Sequence, residues 1–374
     1  MAVEERHPRL YFPDGDVVLR VLVSDGCKLA ENDSMDTNSE SGTVKKYQHF
    51  RVHQLLLKLH LVAFANLFAD ATASHEPKYD GQPLLDLPDR AEDLALLLEM
   101  VYNLPSNPLR KQNPRKAVEL SGVIRLADKY VGDELRAQLI QHVTEGWPTT
   151  LHEWDVREGE ASAITTSLAR TNRLRRRSTG PYLADVMPEP ASAIMFAQEF
   201  GCHEILPAAY YQLARISVKA DLDKRNADRS QRLARWSALD NSSLLRHLHG
   251  REALEEYSDS FARLDYGLGS TLDSACVPWW ITTPQVVPQS VIDADTRKYP
   301  CYDYAMRHID TVWPAKDYRD PLTGLSKILD YKRADEDNED GLCEECQSTF
   351  SERVISERLR LWKKLPHFFQ LKEG

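Results

Sequence analysis

Along the first third of the chain the apolar positions switch between a two-residue and a helical period. Val17 to Val23 is a β-branched, apolar run behind the turn Pro13-Asp-Gly-Asp16, which predicts a strand. Phe50 and Val52 start a second strand that passes into helix: Leu56, Leu57 and His60 share one face, and Phe64, Leu67 and Phe68 form a second apolar cluster. Leu84 to Leu87 alternates as a short strand, closed by Pro88, with Asp89 capping the next helix. Ala91 to Tyr102 sets Leu94, Leu97, Leu98 and Val101 at helical spacing, and two further helices are expected over Ala117 to Tyr130 and Asp133 to Val143. Between Ser24 and Lys46 apolar residues almost vanish. That stretch cannot repay the entropy of ordering itself and is expected to be a disordered loop. Closure entropy rises only logarithmically with length, so the strands on either side can still pair.

Gly146-Trp-Pro148 breaks this pattern, and Trp147, Leu151 and Trp154 begin a new packing unit. The signals then become helical, over Pro190 to Phe200 and over Glu204 to Val218, where Leu206, Tyr210, Leu213 and Ala214 lie on one face. Ser237 to Arg263 reads as two helices, the second starting at Gly250. Arg170, Arg173, Arg175, Arg176 and Arg177 make Thr165 to Gly180 a basic run, expected as a solvated loop. Asp265 to Tyr318 is rich in Pro, Gly and aromatics, including Trp279, Trp280 and Trp313, and should be irregular. Asp335 to Asp340 is an acidic, solvated run, and Glu352 to Leu365 is an amphipathic helix. The predicted class is α+β: short strands with a helical cluster over 1–146 containing the loop 24–46, a helical region over 147–264, and an irregular segment with a C-terminal helix over 265–374.

Composition narrows the function classes. A chain of 374 residues exceeds one typical core, and its 42% apolar content is enough for globular packing. A net charge of -10 argues against nucleic-acid binding, which needs a basic field to displace counterions. No run approaches the roughly 20 apolar residues that span a bilayer, and Met1-Ala-Val-Glu-Glu-Arg6 lacks the layout of a signal peptide. The expectation is therefore an intracellular protein, cytoplasmic or nuclear, with no membrane partner. Six scattered cysteines fit a reducing compartment better than a disulfide framework.

The segment around His53 resembles the core of the BTB/POZ fold. His53, Leu57, Phe64, Leu67 and Phe68 fall at that family's spacings, Asp16 stands before the first strand, and Leu98 to Tyr102 and Leu126-Ala-Asp-Lys-Tyr130 resemble two of its helix ends. Leu61 departs from it, standing where a serine is usual, and so does Asn103 after Tyr102. Further on, Gly250-Arg-Glu-Ala-Leu254, Leu342-Cys-Glu-Glu-Cys346 and Trp362 to Leu371, in that order, are similar to the large BTB protein group of mushroom-forming fungi. The resemblance implies a structural core of Asp16, His53, Leu57, Phe64, Phe68 and Tyr102. It also implies homodimerisation through the first strand and first helix, with Val17, Leu19, Val21, Leu55 and Leu59 at the interface. In several BTB groups the domain also docks a cullin while the rest of the chain recruits a substrate for ubiquitin transfer. The alternatives are a BTB transcriptional regulator or a plain scaffold.

Candidate chemistry is sparse. Cys343 and Cys346 form a Cys-x-x-Cys pair, half of a tetrahedral zinc site that would need two further ligands from Cys276, Cys301 and His308. His53 and His60 suggest catalysis, but His53 at a strand-to-helix junction is better explained as a ring bonded to the local backbone. No Gly-x-Ser-x-Gly elbow, phosphate-cradling glycine loop or His-Glu-x-x-His occurs. An interaction protein without a cofactor is the expectation, not an enzyme.

Overall fold

The computed structural model describes residues 3–23, 45–70, 77–105, 109–110, 113–173, 180–262, 300–313, 319–331, 341–342 and 344–371. The chain divides into two compact units, Met1–Gly146 and Trp147–Gly374. The class is mixed: a strand-containing N-terminal unit followed by helices.

In the first unit, strands β1 (Val3–Tyr11), β2 (Val17–Val23), β3 (Lys46–Val52), β4 (Lys78–Tyr79) and β5 (Gln82–Leu87) form one sheet in the order β1-β3-β2-β5-β4. β2 lies in the middle, antiparallel to β3 from Val17 against Val52 to Val23 against Lys46, and parallel to β5. This position overturns one expectation. Val17, Leu19 and Val21 are buried within the chain's own core, because both sides of β2 are already paired and its apolar face packs inward. They are core residues and not an interface. The tight turn Asp80-Gly81 joins β4 to β5 with both residues at positive φ, the geometry of a two-residue hairpin loop.

Helices α1 (Gln54–His60), α2 (Val62–Asp70), α3 (Ala91–Val101), α4 (Lys116–Lys129) and α5 (Asp133–Thr144) complete this unit. Leu57, Leu61, Phe64, Leu94, Leu97, Leu98, Leu120, Val123 and Ile124 fill its core with Phe50 and Val52 of the sheet. Burying each such side chain contributes about 1.5–3 kcal/mol. Leu61, at the position where serine was expected, is fully buried and packs against Gly132, where an added Cβ would come within 2.8 Å of it. The start of α2 needs no side-chain cap, because the amides of Val62 and Ala63 donate to the carbonyls of Val131 and Tyr130.

The second unit is helical: α6 (Leu151–Arg173), α7 (Leu183–Val186), α8 (Pro190–Phe200), α9 (Leu206–Ala214), α10 (Asn241–Ala262), α11 (Pro300–Val312), α12 (Pro321–Ile328) and α13 (Glu344–Phe368). Glu189 caps α8, its carboxylate accepting from the amides of Ala191 and Ser192, with Pro190 in the first turn. Three expectations change here. The basic run is helical as far as Arg173, Pro300–Val312 is helix and not irregular chain, and α10 is one helix that passes through Gly250. Gly250 marks close packing, since a Cβ there would sit 1.9 Å from the Phe369 ring. The loop 24–46 as far as residue 44, the acidic run 335–340, and Trp279 and Trp280 lie outside the described residues.

A buried ion network organises the region between α6, α9 and α12. Arg215 donates to both carboxylate oxygens of Glu158 and, through Nε at 2.7 Å, to Asp320; Arg232 also reaches Glu158. Tyr211 donates to Asp320 at 2.8 Å, and Asp320 in turn caps α12. Burial opposes the charged form of Asp320, but Arg215 and the bonds from Tyr211 and Thr323 outweigh it and hold the carboxyl below its usual range.

Candidate interaction surface

The junction between β3 and α1 is built around Tyr102. Its hydroxyl oxygen accepts from the His53 amide and bonds the His53 Nδ1, both at 2.8 Å. The His53 Nε2 faces Asp14 at 3.4 Å, an arrangement that assigns the proton to Nε2 and lets Tyr102 donate to Nδ1. Phe12 stacks on Tyr102 with ring centroids 4.7 Å apart. Burial, partly offset by the His53 amide, raises the Tyr102 pKa. Asp16 is exposed, yet its carboxylate accepts from the Gln54 amide at 2.7 Å and so caps α1 from a different part of the chain. The expected bond from the His53 ring to the local backbone is therefore replaced by one to a side chain 49 residues away.

Of the expected core residues, Leu57 and Phe64 are fully buried, Phe68 is half-buried against Phe64, and His53 and Tyr102 are half-buried together. The histidine is engaged on both ring nitrogens. Its neighbour on the solvent side is the exposed carboxylate of Asp14.

The outer face of α1 behaves differently. Leu55 and Leu59, one helical turn apart, are 74% and 72% exposed. Val62 and Leu67 of α2 are also exposed and were not expected at a surface. The helical period gave no signal for Leu67, which lies three residues after the buried Phe64, and the chain break at the extended Leu61 separates the registers of α1 and α2. Among the described residues of this unit these are the most exposed large apolar side chains of the helices, and water gains nothing from them.

The expected zinc site does not assemble among the described residues, which hold no group of three His, Cys, Asp or Glu arranged for a metal ion. Cys343 and Cys276 lie outside the described residues. Cys346 is buried on α13, Cys301 is buried on α11 with its thiol directed at the Gly341 carbonyl, and the His308 Nε2 is taken by the Ile328 carbonyl at 3.1 Å. No described helix is long and apolar enough to cross a membrane. No family model matches the sequence, and no curated protein or solved structure matches it.

Proposed function

We propose that this is a protein-protein interaction protein whose first unit is a BTB/POZ-like module that self-associates through the outer face of α1. The observation that carries the proposal is the Leu55 and Leu59 pair, largely exposed to solvent on a helix whose opposite face is sealed into the core by Leu57. A monomer has to leave that strip in water, whereas a two-fold pairing of α1 with its copy buries it on both subunits at once. The three-way tie of Asp16, His53 and Tyr102 supports the same assignment, because it fixes the angle at which α1 leaves the sheet. A docking helix has to be held rigidly to present a self-complementary face. The helical second unit would then carry the partner, with the protein acting as a substrate adaptor on a cullin scaffold.

Analytical ultracentrifugation of the full chain at micromolar concentration tests the dimer. The wild type is expected to sediment as a dimer, and the double variant Leu55→Glu, Leu59→Glu as a monomer with an unchanged circular dichroism spectrum. A wild-type chain that stays monomeric at tens of micromolar ends the proposal. Pull-down with a purified cullin tests the adaptor role separately: a dimer that retains no cullin is a scaffold and not an adaptor.

A further inference from the structure

Within the second unit a cleft of about 470 Å³ opens between α10 and the C-terminal end of α13. That volume lies in the range of small-molecule sites, roughly 300–1,000 Å³. The apolar part of its lining is held in place. Tyr257 is buried there, its hydroxyl donates to the Glu357 carboxylate at 2.8 Å, and its ring meets that of Phe368 with centroids 6.2 Å apart. Ala253 leaves the middle of the α10 wall open.

The charged groups of the lining divide by helix. α10 offers Glu252 and Glu256, one turn apart on one face, and α13 offers Lys364 and His367. None of these four side chains has a hydrogen bond or an ion pair among the described residues, so Lys364 does not reach across to either carboxylate. Other charged groups of the same two helices do pair, Arg358 with Asp155 and Arg251 with Glu255. Two carboxylates one turn apart repel each other, and nothing in the chain relieves Glu252 and Glu256. A guest that brings a cation to the α10 wall and an anion to the α13 wall satisfies both at once. A guest of one sign is opposed by one wall. Because the two walls do not pair with each other, the guest's charges also have to be separated, and one peptide unit adds about 3.8 Å between α-carbons. We infer that this cleft binds a short peptide with free ends. Its ammonium lies against Glu252 and Glu256, its carboxylate against Lys364 and His367, and an apolar side chain against Tyr257 and Phe368. His249 and Gln370, which can donate or accept, complete the polar lining. The inference uses nothing from the first unit and holds for a monomer or a dimer.

The test is isothermal titration of the dipeptide Ala-Phe into the full chain at pH 7 and low salt, beside N-acetyl-Ala-Phe and Ala-Phe-amide, each of which lacks one charge. Saturable binding of Ala-Phe with a Kd at or below about 1 mM is expected. Each blocked peptide should bind about fivefold more weakly. Glu252→Gln with Glu256→Gln should weaken Ala-Phe by a similar factor without weakening the N-acetyl form, and Lys364→Gln should weaken Ala-Phe without weakening the amide. These side chains are exposed or half-buried, so circular dichroism should be unchanged. Ala253→Leu fills the cleft and should lower the affinity of all three peptides. Absence of saturation by about 10 mM, blocked peptides that bind as well as Ala-Phe, or binding that survives Ala253→Leu would overturn the inference.

Discussion

A single hydroxyl, that of Tyr102, holds both the amide and the ring of His53, and one carboxylate, that of Asp16, starts α1. At this scale His247 supplies the sharpest prediction. Its folded pKa is lowered to about 4, chiefly by burial and then by Arg251 and Arg319, so the unfolded chain binds a proton first as the medium acidifies. Stability is therefore full above about pH 6.5 and declines as pH falls from there to about 4, by up to about 3 kcal/mol. Urea titrations should show this slope, and His247→Gln should flatten it; an unchanged slope would assign the titration to other groups. The two histidines also show what a sequence can reveal of single residues. His53 was legible as structural from its place between strand and helix, but its partner was not, because Tyr102 approaches from the far end of another helix. His247 gave no signal, since its burial depends on packing that includes Trp236, which no local pattern ties to it.

At the scale of elements, apolar periodicity found what it could weigh. α3, α4, α5 and α8 lie within a residue of their expected bounds because each buries a regular stripe. β1 was missed. Val3-Glu-Glu-Arg-His-Pro-Arg alternates in no apolar sense, and its extended form comes from pairing with β3 and not from its own side chains. α6 was missed over its whole length: Leu151 and Trp154 were expected only to start a packing unit, and Thr165 onward was expected as a solvated loop because of its arginines, although Leu168 is buried there. α10 was divided because glycine weakens a helix locally, whereas here it admits the Phe369 ring. Two effects of opposite sign meet at that position. Gly250→Ala gains about 1 kcal/mol of helix propensity but forces the α10 and α13 packing apart, an overpacking cost of about 1–3 kcal/mol. Net destabilisation is expected, seen as a lower urea midpoint at unchanged m-value; a raised midpoint would mean that Phe369 gives way freely.

At the scale of the whole molecule, each unit closes its own core, one around the sheet and one around Phe196, Tyr210, Tyr211, Leu213 and Phe369. Calorimetry should accordingly require more than one two-state transition. Leu57→Ala should lower one of them and Leu213→Ala the other, each by the equivalent of about 2–5 kcal/mol. A single transition shifted by both variants would mean that the units unfold together.

The strand that the sequence hid has a further consequence. β1 ends the sheet, and along it stand Glu4, Glu5, Arg6, Pro8 and Arg9, with proline withholding one amide from any newcomer. A protein that meets copies of itself through a greasy helix would be at risk of polymerising if its sheet also invited another strand. The charged, interrupted rim withdraws that invitation, so a dimer formed as proposed through α1 would not grow further by strand addition along β1.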